Sequence, residues 1–336
     1  MTKPVLHNQQ AFADVLKQIQ LSRQKVFTQI NTALIDLYWH IGEFISHKVN
    51  SQAWGKAVVK ELALYIAQQA PEIKGFSDKN LWRMKQFFET YHSDQKLSPL
   101  VRELPWTHNT IIFSRCKSAD EREYYLKLSI KEGYSSRELD RQISASHFER
   151  AELGNQKLSA VLRELHPNIH NTLKDNYVLE FLGLPKQHAE SHLQKALIEN
   201  MKRFILELGG DFIFVGEEYR LQVGNQDFFI DLLFFHRGLS ALVAFELKIG
   251  KFSPEHLGQL NFYLEALDRD VKKPHENPSI GVLLCRDKDD EVVEYALSRN
   301  LSPTMVAQYE LQLPDKKQLQ KKLHELTKNE YLEPSE

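Results

Sequence analysis

Three ionisable residues stand inside two runs that otherwise look like buried strands. The first run is Asp227-Phe228-Phe229-Ile230-Asp231-Leu232-Leu233-Phe234-Phe235, and the second is Leu242-Val243-Ala244-Phe245-Glu246-Leu247-Lys248. Both are rich in β-formers and bounded by turn residues, Gly224-Asn225 before and Arg237-Gly238 between. An ionised group in such a place is costly unless a counter-charge or a metal compensates it. Side chains alternate faces along a strand, so Glu246 and Lys248 point the same way. If the strand of Asp231 pairs beside this one, Asp231 meets Glu246. Two converging carboxylates in a poorly hydrated place repel, and one takes a proton. A divalent cation removes the conflict. Two carboxylates, a main-chain carbonyl and several waters suit Mg²⁺. Lys248 then lies where it can orient a water or stabilise charge developing on a phosphate. Taken alone, Glu-x-Lys reads as an ordinary ion pair on an exposed face. Asp231 in an apolar strand and the elements that follow favour the site.

Those elements change character along the chain. From about Ala189 the pattern predicts a helix to Leu208, ended by Gly209-Gly210. Strands follow at 212–215, 219–223, 228–235 and 241–247. A helix starts at Pro254 and runs to about Leu267, then a strand at 280–285, a helix at 291–299 and a strand at 305–309. This order predicts an α/β domain with a mixed central sheet flanked by helices. Gln259 and Tyr263 are four apart on the helix after the Glu-x-Lys strand, so they share a face.

The arrangement resembles the PD-(D/E)xK nuclease superfamily, with its restriction-endonuclease-like fold. The matching residues are Ile230-Asp231, with Ile in place of the usual Pro, and Glu246-Leu247-Lys248. Gln259-x-x-x-Tyr263 resembles the branch that holds RecB-type nucleases. The string from Phe204 to Tyr309, with Glu207-Leu208-Gly209 and Gly281-Val282-Leu283-Leu284-Cys285, is similar to the bacterial YhcG-like group, and the first half resembles that group too. The resemblance implies that Asp231 and Glu246 hold metal, that Leu247 gives its carbonyl and that Lys248, with Gln259 and Tyr263, serves catalysis. It also implies 5′-phosphate products, and Mn²⁺ is expected to substitute for Mg²⁺. The superfamily often adds a Glu from the first core helix. Glu207 flanks that helix's apolar face and is preferred to Glu199, which lies nearly opposite.

Residues 1–150 are expected to form an all-α domain of helix-turn-helix or winged-helix type. Its longest amphipathic stretch, Val26 to His47, carries Ile30, Leu34, Leu37, Ile41 and Ile45 at helical spacing. Ser77 is placed to cap a helix carrying Lys79, Arg83, Lys85 and Gln86, residue types that contact phosphates and base edges. Arg115, Lys117, Arg137 and Arg141 add possible phosphate contacts, and Trp82 is either core or a base contact. The bland reading is a helical interaction or dimerisation domain with solvated cations. Residues 151–187 are expected to be a connector, 188–310 the nuclease domain, and 311–336 a basic terminal helix and tail.

The bulk numbers narrow the classes. The chain has 336 residues, a net charge of −2 and two cysteines far apart, Cys116 and Cys285. That argues against a disulfide framework or a structural zinc and fits the cytoplasm. Met1 to His7 shows no signal-type apolar segment, and no run is long enough to span a bilayer. Without overall positive charge, nucleic acid must be bound by local basic patches. No GxxxxGK[ST] is present, so an ATP motor is not expected. The expected function is a metal-dependent nuclease acting on nucleic acid, DNA in the first instance, with a homodimer as one possible assembly. The competing reading is a nucleic-acid-binding protein that keeps the nuclease fold with little or no catalysis. A third is a partner-binding helical protein with an accessory α/β domain.

Overall fold

The computed structural model describes residues 9–51, 54–154 and 156–330. The Met1 to His7 segment, expected to carry no signal-type sequence, and the last six residues of the tail lie outside them. The chain divides into two compact units, Met1–Asp140 and Arg141–Glu336. No helix of the described residues is long and apolar enough to cross a membrane.

The first unit is all helical. Its elements are α1 (Gln9–Asn50), α2 (Lys56–Gln69), α3 (Asp78–Tyr91), α4 (Leu97–Glu103), α5 (Trp106–Arg115), α6 (Ala119–Glu132) and the start of α7 (Ser136–Ser144). The capping signals act as the residue types predict. Ser77 accepts from the Asn80 amide and Ser118 from the Glu121 amide. Gly133 ends α6 in the left-handed region at φ 61°. Helix α3 buries Leu81, Met84, Phe87, Phe88 and Tyr91, and α1 lies against it. Gly42 makes that approach possible, because a Cβ there would sit 2.1 Å from the Met84 carbonyl oxygen. The buried side of α1 carries Ile35, Tyr38, Ile45 and Ser46. Of the apolar series read from sequence, Ile45 is buried, whereas Ile30, Leu34 and Leu37 face solvent. Ile41 packs against the same core as Ile45, so the covered face overlaps the C-terminal end of that series and is rotated away from Ile30, Leu34 and Leu37.

The second unit continues with α8 (His147–Leu153), β1 (Lys157–Leu158), α9 (Ala160–Leu165), β2 (Asn176–Val178), α10 (Glu190–Glu199) and α11 (Met201–Leu208). Then come β3 (Phe212–Val223), β4 (Gln226–His236), β5 (Ala241–Lys251), α12 (Glu255–Ala266), β6 (Asn277–Asp287), α13 (Asp290–Leu297), β7 (Thr304–Glu310) and α14 (Lys316–Glu330). The sheet order is β1-β7-β6-β5-β4-β3, and β2 also pairs with β7. Strands β3, β4 and β5 are antiparallel, and β5, β6 and β7 are parallel, which gives the mixed sheet expected. The stretch 151–187 is more than a connector, since β1 and β2 extend the sheet at β7.

Each face of the sheet is covered. Phe204 and Leu197 pack on one side with Phe234, Phe245 and Leu247. Leu260, Leu264 and Val293 pack on the other with Ile230, Leu233 and Leu283. Gly281 lets α12 lie close, because a Cβ there would meet Leu260 at 2.9 Å. The helix expected over 189–208 is broken at Asn200, whose side-chain amide bonds the Ala196 carbonyl. Asn competes in this way for helical backbone groups. The two strands expected at 212–223 are one strand, irregular after Phe214 and left-handed at Glu218 (φ 42°).

Candidate functional site

The site forms where two neighbouring strands part. The β4–β5 ladder runs from His236↔Ala241 to Leu232↔Phe245. The next facing pair is Asp231 and Glu246, but the backbone has already turned over there. Leu232 and Phe234 pack on the α11 side, while Ile230 and Leu233 both pack on the α12 side. The gap is bridged by a side chain, because Asp231 Oδ2 accepts from the Leu247 amide at 2.8 Å. Gln194 of α10 reaches the main-chain oxygen of Asp231 at 3.4 Å. Strand β5 runs on beside β6 through Lys248↔Cys285, so Glu246 and Lys248 stay on a fixed strand while β4 moves away.

Glu246 is 2% exposed, although its charge has no fully matched partner. Its Oε1 accepts from Lys248 Nζ at 2.9 Å, and its Oε2 is buried with no hydrogen-bond partner. Burial, then the charge of Asp231, push its carboxyl up to about 7 against the pull of Lys248. Burial also raises Asp231, opposed by the Leu247 amide and Lys248, with Glu190 and Glu218 adding to the rise. For Lys248 burial acts downward, but the bond and charge of Glu246 outweigh it and the ammonium is held above its ordinary range. Glu190, in the first turn of α10, lies 3.5 Å from Lys248 Nζ. Gln259 donates to the Tyr263 hydroxyl at 2.6 Å. Burial raises that phenol, and the charges of Glu246 and Asp231 push the same way.

The arrangement suits a cation that keeps most of its water. No group of three or more His, Cys, Asp or Glu forms a ready metal cage among the described residues. What is present is two carboxylates and a buried oxygen without a donor, which fits Mg²⁺ better than a fully protein-ligated ion. Leu247 holds Asp231 through its N–H, a contact separate from the carbonyl role that the resemblance implies.

Sequence reasoning missed Glu190 and misplaced Glu207. Glu207 is fully buried and paired with Arg141 at 2.5 Å, Arg150 at 3.5 Å and Lys174 at 3.7 Å. Its Oε1 also accepts from the Val178 amide. Burial alone would raise this carboxyl, but Lys174, Arg150 and Arg141 hold it well below the usual range. It is a structural counter-ion, not a partner of Asp231 and Glu246. Glu199 is exposed at the end of α10. Glu190 looks in the sequence like any acidic residue in a helix's first turn, and only the path of β5 brings Lys248 to it. His236 and His256 accept main-chain N–H groups of Leu239 and Ser253, as structural histidines do.

In the first unit, Trp82 is half-buried against the α1–α3 core, with Lys85 over its ring. Lys79, Arg83, Gln86 and Lys117 are exposed, while Arg115 is paired with Asp140. In the second unit, Arg141 is committed to Glu180 and Glu207, so it is no phosphate contact.

Comparison with known proteins gives the family. Residues 170–324 match the YhcG PDDEXK nuclease domain, and residues 14–150 match the DUF1016 N-terminal domain. A "Putative nuclease YhcG" of Escherichia coli (strain K12) is 32% identical over 348 aligned positions, covering 93% of this chain and 92% of that protein. The crystal structure of a repair endonuclease from Pyrococcus abyssi is similar at 19% identity and a TM-score of 0.27, over 38% of this chain and 49% of that one, a likeness too low to bear on the fold. Identity of that order along nearly the full length of both chains places the protein in the YhcG family of PDDEXK nucleases.

Proposed function

We propose that this nuclease-family protein is a Mg²⁺-dependent deoxyribonuclease of the cytoplasm whose reaction centre is Asp231, Glu246 and Lys248. The observation that carries the reading is Glu246: a buried carboxylate beside a second one, with one oxygen lacking any donor. A side chain so placed is destabilising by itself and becomes favourable when a cation arrives. Mg²⁺ bound by Asp231 and Glu246 would supply polarisation of a phosphate oxygen and would lower the pKa of bound water.

The chain's own residues set the rest. The Leu247 amide fixes the rotamer of Asp231, and Lys248 fixes that of Glu246. The Lys248 ammonium, kept charged by its carboxylate neighbours, offsets negative charge as it builds on phosphorus or holds the attacking water. Gln259 and Tyr263 line the α12 side, where an amide and a phenol can position a phosphate. The exposed face of α3, with Lys79, Arg83 and Gln86, supplies backbone contacts to DNA.

The test is a cleavage screen with Mg²⁺ or Mn²⁺ over linear, circular, nicked and branched DNA and over RNA. Wild type and Lys248→Ala run side by side. Metal-dependent cleavage of DNA with 5′-phosphate products is expected. Activity that survives both Asp231→Ala and Lys248→Ala would sink the proposal.

A further inference from the structure

The outer face of α1 carries an apolar stripe that its own unit leaves largely exposed, with Trp54 edge-on to Phe44 at its far end. Phe12, Ile19, Val26, Ile30, Leu37 and Phe44 are each between 45% and 60% exposed. They fall on one alternating four-three series, with Leu16, Arg23, Ala33 and His40 at the intervening steps. That spacing is the 3.5-residue repeat of helices that wind around one another. Every described side chain from Phe12 to Ile30 is exposed. A helix segment with no packed face is marginal in water, so this half of α1 calls for a partner.

We propose that two copies of this chain pair along the stripe with their α1 helices antiparallel. The occupant follows from the stripe itself. The repeat is continuous over the described length of the helix, and a second α1 is a surface with the same repeat and the same length. Of the flanking positions in the first half, Gln20, Ser22 and Gln29 are uncharged, so a second copy meets no like-charge penalty there. At roughly 80 Å² lost by each of ten stripe positions per copy, the pair buries about 1,600 Å², the size of a stable specific interface.

The direction follows from Arg23. A parallel, in-register pair would set Arg23 against Arg23 of the partner subunit in the middle of an apolar seam, which costs energy. The antiparallel pair centres between Val26 and Ile30. It sets Arg23 against the partner's Ala33, whose small side chain leaves room for the guanidinium. It also sets Phe12 against the partner's Phe44 and Ile19 against the partner's Leu37. The buried side of α1, with Ile35, Tyr38 and Ile45, stays on its own α3 and is not used.

Light scattering on the full chain at micromolar concentration tests this. A mass of twice 39.2 kDa is expected. Ile19→Glu with Ile30→Glu should halve the mass, while circular dichroism loses no more than the helix of the first half of α1 and thermal unfolding of the rest stays cooperative, since both side chains are exposed. Proteins carrying Ile19→Cys and Leu37→Cys should cross-link when mixed, and neither should cross-link alone. A single-chain mass for the wild type overturns the proposal, including the case in which hydrogen exchange finds the stripe protected, which would assign it to the chain itself. A dimer unaffected by the glutamates places the interface elsewhere and also overturns it. Cross-linking of Ile19→Cys alone overturns the antiparallel arrangement.

Discussion

Glu207 and Glu246 are both buried acidic residues of the second unit, and they have opposite fates. Glu207 has three cations and a main-chain amide around it, and its carboxyl is held ionised far into acid. Glu246 has one cation, a second carboxylate and a bare oxygen, and its carboxyl rises to about 7. Burial is common to the two, so burial alone does not mark a functional site. What separates them is whether the charge is already balanced. A balanced carboxylate holds α7, α8 and α11 together. An unbalanced one is, on the proposed reading, a carboxylate that a cation would stabilise.

The largest effect should come from removing the balanced one. Glu207→Gln leaves Arg141, Arg150 and Lys174 without their shared counter-charge, and a cost of about 3–5 kcal/mol is expected. Urea unfolding of the second unit reads it directly. A loss under 1 kcal/mol would erase the contrast between the two residues. Next comes catalysis. Lys248→Ala should lower the cleavage rate about 10²–10³-fold, as loss of one preorganised charge-stabilising group does. Single-turnover kinetics should assign that loss to the chemical step, with folding stability little changed.

Stability against pH gives the third comparison, with opposite signs. Glu207's folded value is depressed, so its contribution is full above its ordinary 4.5 and is lost as acid takes the pH down through the folded value. Glu246's folded value is raised from 4.5 to about 7, so its penalty is absent below 4.5 and grows until the pH passes 7. Metal-free Glu246→Gln should therefore gain about 3 kcal/mol on the wild type between those pH values. Equal pH profiles of the two proteins would show that Glu246 is balanced after all. The smallest effect is expected on α12. Tyr263→Phe should cost about tenfold in cleavage, since it removes one hydrogen-bonding group and leaves the carboxylates in place.

The same contrast explains what could be read from the sequence. Asp231, Glu246 and Lys248 were visible because each breaks a local apolar pattern, and local patterns are what a sequence displays. The order of helices and strands was legible for the same reason. Glu207 was misread because its partners Arg141 and Lys174 lie 66 and 33 residues away, and ion pairs over such distances leave no local trace. Glu190 leaves no local trace for the same reason, since it sits in a helix's first turn, where acids are common, and its partner Lys248 is 58 residues away. On α1 the periodicity was plain, but the covered face was set by where Gly42 lets Met84 approach.

The amide of Leu247 has a further use. It sits on a rigid central strand and donates to Asp231 across the parting of β4 and β5. Its proton resonance is therefore a built-in reporter: protonation of the carboxylate weakens that bond and moves the signal upfield, and cation capture perturbs it in a distinguishable way. One backbone signal, followed by two-dimensional NMR on isotope-enriched protein, can record the state of the centre without substrate or mutation.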